Sequence, residues 1–254
     1  MSHLANLYTW FRGRLRTGSG RKDLPRPDTC VAIIGDVHGR ADLLAGLMEK
    51  LDRQQPAATR VFVGDYIDRG PSSRDVLEML QAMAPSDICL LGNHEAMMLD
   101  FLESPIEKGA RWLRNGGLAT LASYAVTLDE SSGHQDILKA RDALERRLQD
   151  GTLAWLGARP LWWQSGNLLV AHAGADPALP IANQPGHNFL WGHKRFLRDP
   201  RPDGLWVAHG HWARDRPTVG QARVSVDTGA WKSGCLTAAV IDPDGGIRFV
   251  QQAD

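Results

Sequence analysis

From residue 30 onward, short apolar runs rich in β-branched residues alternate with segments whose apolar residues recur at helical spacing. Such segments follow the first two runs, with apolar positions at Leu43, Leu44, Leu47, Met48 and Leu51 and then at Val76, Leu77, Leu80 and Met83. The alternation predicts a βαβαβ opening with a parallel sheet. The predicted strands are residues 30–34, 60–64, 87–92, 167–173, 205–210, 223–227 and 235–242.

The second half of the chain is predicted to contain more strand than the first half. Its strands lie closer together, and Gly and Pro turns separate them. We therefore expect an α/β protein in which two sheets and two helical layers form an α/β/β/α sandwich.

Two segments depart from this alternation of strands and helices. Residues 97–160 carry mainly helical patterns, which predict a helical insertion that covers one end of the sheet. Residues 1–28 hold one apolar helical stripe among basic residues. We expect an extension that packs on the domain or is partly disordered, with a membrane-surface or docking helix as the alternative. The predicted organisation is this extension followed by a single domain over residues 29–254.

The composition argues against several classes of protein. The 254 residues suit one large α/β domain, and 29 basic against 29 acidic residues give zero net charge, so no overall field attracts nucleic acid or acidic lipid. Three cysteines cannot all pair, and the longest apolar runs are too short for a membrane span or a secretion signal. We expect a soluble cytoplasmic protein that binds no nucleic acid and spans no membrane; its oligomeric state is left open.

Polar residues suited to catalysis follow directly after five predicted strands. In an open α/β sheet, the carboxyl ends of the parallel strands form one crevice, where ligands bind. Any one of these short motifs is more often a turn or a cap than a ligand set, but five of them at five strand ends are hard to assign to chance. The sequence therefore predicts one cluster made of Asp36, His38, Asp65, Asp68, Asn93, His94, Glu95, His172 and His211.

The residue types in this cluster indicate metal chemistry. Carboxylate, imidazole and amide oxygen without thiolate suit manganese, iron or zinc, and two such ions can share a carboxylate. A two-metal site stabilises the attacking and leaving oxygens of an in-line displacement and lowers the pKa of bound water. His209 is expected to be a buried, hydrogen-bonded histidine that supports His211 rather than a ligand. The tryptophans of the second half are expected to pack in the core and at its rim, because no basic stripe accompanies them.

The ordered blocks GDVHGR, GDYIDRGPSS, GNHE, HAG and GH resemble those of the metal-dependent phosphoprotein phosphatases, in the bacterial and phage branch near the symmetrical diadenosine tetraphosphate hydrolases. The resemblance spans residues 30–242. It implies a calcineurin-like four-layer α/β/β/α fold of mixed sheets with two divalent metal ions, manganese first and iron or zinc as alternatives. The implied metal ligands are Asp36 and His38 for one ion, Asn93, His172 and His211 for the other, and Asp65 as the bridge.

Three further roles come from the same resemblance. His94 is implied to be the general acid that protonates the leaving oxygen, Asp68 is implied to orient it, and Arg69 is implied to bind the phosphate oxygens. Glu95 is expected to support these residues without binding metal. The chemistry of the residues agrees, because a histidine beside a carboxylate keeps its proton and a guanidinium matches two phosphate oxygens.

One block departs from the family pattern. A second phosphate-binding arginine usually follows a Leu-Trp pair, but here His193 occupies that position and Arg195 lies two residues later. We expect Arg195 to take the role, with His193 as the alternative. The RWLRNGG segment (111–117) of the insertion is expected to line the crevice and to help choose the leaving group, with a purely structural lid as the alternative.

The function that the resemblance implies is hydrolysis of phosphoserine and phosphothreonine, or of phosphotyrosine, in proteins by direct attack of metal-bound hydroxide. Hydrolysis of dinucleoside polyphosphates at the same site is the alternative. A phosphoprotein-binding scaffold that has lost catalysis is a third hypothesis, and the complete ligand set argues against it. The expected partners are phosphorylated proteins or small phosphate esters, and the branch of the family is bacterial.

Overall fold

Two five-stranded sheets form the centre of the protein, in a computed structural model that describes residues 24–129 and 132–254. The first sheet has the order β10-β9-β1-β2-β3 and contains β1 (Val31–Ile34), β2 (Thr59–Phe62), β3 (Ile88–Cys89), β9 (Cys235–Ile241) and β10 (Ile247–Ala253). The second has the order β4-β5-β6-β8-β7 and contains β4 (Trp162–Ser165), β5 (Leu168–Ala171), β6 (Trp206–His209), β7 (Thr218–Gly220) and β8 (Arg223–Ser225).

Three parallel strands lie side by side in each sheet: β1, β2 and β3 in the first, and β5, β6 and β8 in the second. The other strands pair in antiparallel fashion, so both sheets are mixed. Most of the parallel strands are short and apolar, as expected for strands buried on both faces. Their carboxyl ends meet at one edge of each sheet, and the polar motifs begin there.

The two faces of each strand define the layers of the fold. On β1, Ile33 packs in one cluster with Val170 of the second sheet. The next residue, Ile34, points to the other side and packs in a separate cluster with helical residues such as Leu47. Leu169 of β5 packs on the outer face of the second sheet in a third cluster. The order of the layers is therefore helix, sheet, sheet and helix, which confirms the predicted sandwich.

The helices that cover the outer face of the first sheet include the whole predicted insertion. They are α1 (Ala41–Gln54), α2 (Ser73–Gln81), α3 (Asn93–Glu103), α4 (Pro105–Trp112), a π-helix (Leu113–Gly117), α5 (Leu118–Ser123), α6 (His134–Arg147) and α7 (Thr152–Gly157). The second sheet is covered by a 3₁₀ turn (Ile181–Asn183) and α8 (Gly186–Trp191), and α9 (Ala230–Ser233) precedes β9. None of the helices in the described ranges is both long and apolar enough to cross a membrane.

The structure differs from the sequence prediction mainly at the sheet edges. Strands β4, β7 and β10 were not predicted, because many of their side chains are exposed and the hydrophobic signal of an edge strand is weak. The predicted strand 87–92 is only two residues long as β3. The helical region begins at Asn93 rather than at residue 97, because the GNHE motif itself starts α3.

The apolar stripe expected near the N-terminus falls in residues 1–23, outside the described residues. The last residues of that predicted extension bind the turn between β4 and β5. The Asn167 side-chain amide donates a hydrogen bond to the Leu24 carbonyl (3.0 Å), and the Gly166 amide donates one to the Asp28 carboxylate (3.0 Å). The domain boundary at residue 28 remains a prediction.

A close backbone contact fixes the loops that follow β2 and β3. Gly64 has a φ of +109°, and a Cβ added to it would lie 2.5 Å from the backbone nitrogen of Gly92. Only glycine combines this left-handed conformation with so short an approach. Gly64 therefore sets the distance between the two loops that carry Asp65 and Asn93.

Gly64→Ala should lower the free energy of unfolding by roughly 2–3 kcal/mol, because the new Cβ strains the left-handed backbone and collides with Gly92. Gly151→Ala is the matched control: its φ is +84°, but nothing lies within 4 Å of an added Cβ. This control should cost roughly 1 kcal/mol, since only backbone strain is introduced. Urea unfolding of the metal-free variants measures both values, and equal losses would contradict the proposed close packing of the loops.

Candidate metal centre and active site

The polar side chains that follow the strands converge around the carboxylate of Asp65, directly after β2. Its Oδ2 atom lies 3.4 Å from Nε2 of His172, 3.6 Å from Nε2 of His38 and 3.8 Å from Nε2 of His94. The other oxygen, Oδ1, accepts a hydrogen bond from the His94 amide (3.0 Å). Burial opposes ionisation, but His172 and His94 hold the pKa of Asp65 well below its usual range. Asp65 is therefore an anion shared by loops from both sheets.

Hydrogen bonds to main-chain carbonyls fix the orientation of two of these imidazoles. His38 Nδ1 lies 2.8 Å from the Ile67 carbonyl, and His172 Nδ1 lies 3.1 Å from the Val63 carbonyl. Because a carbonyl only accepts, each Nδ1 carries the proton. With Nδ1 committed to a carbonyl, Nε2 is the nitrogen of each ring that is left to bind a metal ion beside Asp65. Burial also lowers the pKa of His38 to about 3, so this ring is neutral near pH 7.

On the His172 side, several acceptor atoms crowd together. His172 Nε2 lies 2.8 Å from Oδ1 of Asn93 and 3.2 Å from Nδ1 of His211. Burial lowers the pKa of His211 to about 4, so it too is neutral at pH 7. Lone pairs that face one another in a buried site repel unless a cation lies between them. The donor set is thus suited to a metal ion.

Two groups of ligand atoms share Asp65. One consists of His38, Asp65 and His94, and the other of Asp65, His172 and His211; within each group the atoms lie within 4.8 Å of one another. Nitrogen and oxygen donors without sulfur suit borderline or hard divalent ions. The residues could therefore hold two such ions with Asp65 between them.

A second buried carboxylate pair adjoins this cluster. Asp36, after β1, accepts a hydrogen bond from the His211 amide (3.0 Å). Burial and the carboxylates of Asp227 and Asp65 raise the pKa of Asp36 well above its usual range. A cation beside Asp36 would favour its ionised form. Asp227 was not among the predicted site residues, although it follows β8 as Asp36 follows β1, and that position was the available signal.

His94 forms a short hydrogen bond with Asp68 beside the cluster. Its Nδ1 atom lies 2.6 Å from Oδ2 of Asp68, and both side chains are buried. Burial lowers the pKa of His94, but Asp65 and Asp68 outweigh it and raise that pKa above its ordinary value. The guanidinium of Arg69 lies 2.9 Å from Nε2 of His38 and 3.0 Å from Nε2 of His94. In this arrangement His94 Nε2 accepts, so proton donation from it requires Arg69 to move away.

Glu95 holds the Asp65 loop in place from behind, as expected. Its carboxylate accepts hydrogen bonds from the amides of Asp65 (2.9 Å), Tyr66 (2.8 Å), Ile67 (3.2 Å) and Gly92 (3.1 Å). Burial and the Asp65 carboxylate raise the pKa of Glu95 to about 7. Glu95 thus ties the loop after β2 to the start of α3.

Comparison with protein families accounts for this arrangement. The family model for calcineurin-like phosphoesterases matches residues 31–214, which is more than half of the chain and includes all the strand-end motifs. The chain belongs to the calcineurin-like phosphoesterases. Members of this family use two divalent metals.

Relatives of this calcineurin-like phosphoesterase carry two kinds of name. The serine/threonine-protein phosphatase 2 of Salmonella typhimurium is 36% identical over 81% of this chain and 89% of its own length. The symmetrical bis(5'-nucleosyl)-tetraphosphatase of Methylococcus capsulatus is 32% identical over 57% of this chain but only 43% of its own length. A serine/threonine phosphatase structure from Saccharomyces cerevisiae has a TM-score of 0.60 at 18% identity, over 92% of this chain and 85% of its own, which shows the shared fold.

The phosphoesterase brings the predicted strand-end residues together, while both candidates for the second phosphate contact pair with other carboxylates. Arg195 Nε pairs with Asp199 (2.7 Å), and His193 Nδ1 lies 3.5 Å from the Asp176 carboxylate. Within the described ranges, no hydrogen bond, ion pair or ring contact joins either side chain to the Asp65 cluster. Gly192, with a φ of +75°, turns the chain after α8, which the motif register does not reveal. A phosphate-binding role for Arg195 or His193 remains a prediction.

His209 is buried, as expected, but it does not bond to His211. Its Nδ1 donates to the Gly210 carbonyl (2.9 Å), and its ring packs edge-on against Phe196 with the ring centres 5.0 Å apart.

The sequence prediction missed Trp112 and Thr120, whose side chains contact Asp68. The RWLRNGG segment is expected to influence the choice of leaving group, but nothing in its sequence indicates that Trp112 contacts Asp68, the partner of His94.

Asp65→Asn should reduce the metal content from two ions per chain and lower turnover at least 100-fold, because both ligand groups lose their shared anion. Asp42→Asn is the control: this carboxylate pairs with Arg40 on the surface. Metal analysis of dialysed protein and turnover of 4-nitrophenyl phosphate should fall together in the first variant only. Two retained ions and near-native turnover in Asp65→Asn would contradict the shared-ligand arrangement.

Proposed function

We propose that this phosphoesterase is a phosphomonoesterase that removes phosphate from phosphoserine and phosphothreonine in cytoplasmic proteins. The observation that carries this proposal is the buried His94–Asp68 pair beside the Asp65 cluster. A serine or threonine alkoxide is a poor leaving group and needs a proton as it departs, which such a pair can supply. The Salmonella relative, which this chain matches over most of both lengths, is named for the same activity.

The proposed metal ligands come from the two groups around Asp65, without His94, together with Asp36 and Asn93. Asp36 and His38 would hold one ion, Asn93, His172 and His211 would hold the other, and Asp65 would serve both. Manganese is the proposed metal, because the set mixes carboxylate and amide oxygen with imidazole. When bound, the two ions supply Lewis-acid stabilisation of the attacking and leaving oxygens and lower the pKa of a bound water.

The protein's own residues then orient the phosphate and move one proton. Arg69 leaves His94 and binds two phosphate oxygens, which neutralises part of their charge. Its departure leaves His94 Nε2 free to carry a proton towards the ester oxygen. Water attacks phosphorus and loses one proton to solvent, the bond from phosphorus to the leaving oxygen breaks, and the His94 proton passes to that oxygen; His94 then regains a proton from solvent. The products are inorganic phosphate and the free alcohol.

His94→Asn should lower kcat for phenyl phosphate by roughly 10²- to 10⁴-fold, the usual range for general acid catalysis. The effect on 4-nitrophenyl phosphate should be smaller, because nitrophenolate leaves without a proton. Metal content should stay at the wild-type value, since Asn93 and Asp65 are intact. Equal losses on the two esters would show that His94 does not protonate the leaving group.

One observation favours the alternative, hydrolysis of diadenosine tetraphosphate. The indole of Trp231 is 40% exposed, and the guanidinium of Arg69 lies 5.5 Å from the centre of its ring. An exposed aromatic face beside a phosphate-binding arginine can stack a nucleobase, a contact worth about 1–3 kcal/mol. The Methylococcus relative is named for this reaction.

A panel of aryl phosphate, phosphopeptides and diadenosine tetraphosphate, measured with manganese, separates the two functions. Under the primary proposal, kcat/KM is highest for phosphopeptides. Trp231→Ala should then change kcat/KM for a phosphoserine peptide little. The control, Trp162→Ala, removes an exposed tryptophan on β4 and should also have little effect. A preference of several orders of magnitude for diadenosine tetraphosphate, with KM raised only by Trp231→Ala, would establish the alternative.

The insertion also places a cation at the rim of the site. The Arg111 guanidinium lies 3.6 Å above the Trp191 ring, whose centre is 6.5 Å from that of His211. Arg114, three residues later, makes no such ring contact within the described part of the chain. The structure thus distinguishes Arg111 from Arg114, for which the sequence predicts the same role.

Arg111→Ala should raise the KM for an acidic phosphopeptide about fivefold, on the scale of one exposed charge contact. The KM for 4-nitrophenyl phosphate should change little, because the small ester does not reach the rim. Arg114→Ala serves as the control of equal charge. Identical changes with both esters, or the same change from Arg114→Ala, would exclude Arg111 from substrate choice.

A further inference from the structure

We propose that Trp112 and Thr120, both on the helical insertion, are positioning residues that hold the Asp68 carboxylate so that it orients His94 for proton transfer. This inference rests on the proposed role of His94 as a proton donor to the leaving oxygen. It gives the insertion a part in the chemistry, in addition to any part in substrate choice.

The Asp68 carboxylate is held at both oxygens by residues of the insertion. Trp112 Nε1 lies 3.0 Å from Oδ1 and 2.9 Å from Oδ2, and the Thr120 hydroxyl donates to Oδ1 at 2.6 Å. His94 Nδ1 reaches Oδ2 at 2.6 Å. With all three partners in place, rotation of the carboxylate would break at least one charge-assisted hydrogen bond. The orientation of Asp68, and through it that of His94, is therefore fixed.

Thr120 also holds the backbone of the loop. Its Oγ1 accepts a hydrogen bond from the Asp68 amide (2.9 Å), and Oγ of Ser73 accepts from the same amide at 3.0 Å. Asp68 and Arg69 both have positive φ values, +73° and +68°, which non-glycine residues adopt at a cost. One threonine hydroxyl thus supports both the side chain and the strained backbone of Asp68.

A break in the insertion brings its two contacts to one carboxylate. Trp112 and Thr120 are eight residues apart, which in a straight α-helix corresponds to about 12 Å along the axis. The π-helix between them includes Gly116, whose φ of +109° interrupts the helical path. The Gly116 carbonyl also accepts from the Arg69 amide (3.3 Å). The irregular turn is thus seated on the loop that it positions, a recurrent feature of π-turns at functional sites.

The indole of Trp112 is itself held rigidly. It is fully buried, and its ring centre lies 4.8 Å from that of Phe101. A Cβ added to Gly117 would lie 2.6 Å from the Trp112 ring, so the backbone closes over the indole. Tight packing leaves Nε1 one direction in which to donate, towards Asp68.

The experiment compares phenyl phosphate with 4-nitrophenyl phosphate in the full-length manganese-loaded protein. Thr120→Val keeps the shape of the side chain but removes the hydroxyl, and Trp112→Phe removes Nε1. Each should lower kcat for phenyl phosphate about 10-fold or more, as expected for one lost hydrogen bond to a charged group. Loss on 4-nitrophenyl phosphate should be less than threefold, and two metal ions should remain bound. Thr120→Ser should restore the wild-type ratio.

Two further measurements distinguish positioning from folding. In the His94→Asn background, Thr120→Val and Trp112→Phe should cause no additional loss on phenyl phosphate, because the group that they orient is gone. Trp155→Phe, in α7 and in contact with Arg159, is the control for loss of an indole within the insertion. It should leave both esters unchanged. Thermal unfolding of each variant checks that the fold is retained.

Equal losses on the two esters, additive losses in the His94→Asn background, or failure of Thr120→Ser to restore the ratio would overturn the inference. Failure of the proposed function would give a different result. The wild-type protein would then cleave the aryl esters but no phosphopeptide, and the roles of Trp112 and Thr120 could still be tested on the esters. Hydrolysis of neither ester by the manganese-loaded wild-type protein would overturn both.

Discussion

The buried, shared carboxylate of Asp65 is the constraint on which the rest of the site depends. Its Oδ2 lies 3.4–3.8 Å from the Nε2 atoms of three imidazoles, and two of these rings are oriented by an Nδ1 that donates to a main-chain carbonyl. The Asp65 side chain is buried, so bulk water solvates the carboxylate little. Such a cluster is stable only when cations neutralise it or when the surrounding structure holds it firmly. The protein has the means for both.

Backbone strain shows how firmly the surrounding structure holds the cluster. His38, Asp65, Asp68, Arg69 and His211 all have positive φ values, between +46° and +73°. Each left-handed non-glycine residue costs of order 1 kcal/mol or more, and such residues collect at functional sites where neighbouring groups over-determine the backbone. Those groups are visible here as Glu95, which accepts four loop amides, and Thr120, which braces Asp68. The layered apolar core on both sides of each sheet offsets the cost.

The sequence predicts the parts of this site that topology alone determines. Asp36, Asp65 and His172 could be located because parallel strands place their carboxyl ends at one edge, and a short apolar run followed by a polar motif marks each end. Asp227 could be suspected from its place after β8, but a lone Asp before Thr-Gly resembles a turn, so its burial beside Asp36, which depends on the parallel pairing of β8 with β6, could not be predicted. Trp112 could not either: periodicity predicts a helix there but not the π-turn.

The last turn of α4, just before the π-helix, joins the two roles proposed for the insertion, in substrate choice and in proton transfer. Arg111 and Trp112 are neighbours on α4 and so point about 100° apart around the helix. Arg111 covers Trp191 at the end of α8, whereas Trp112 donates to Asp68 in the loop of the first sheet. One helical turn therefore contacts Trp191 at the rim of the site on one side and Asp68, the partner of His94, on the other. A substrate that displaces Arg111 must do so without tilting this turn, or it disturbs the orientation of His94. On this scaffold, changes in the insertion that alter which substrates bind are expected to alter leaving-group dependence as well.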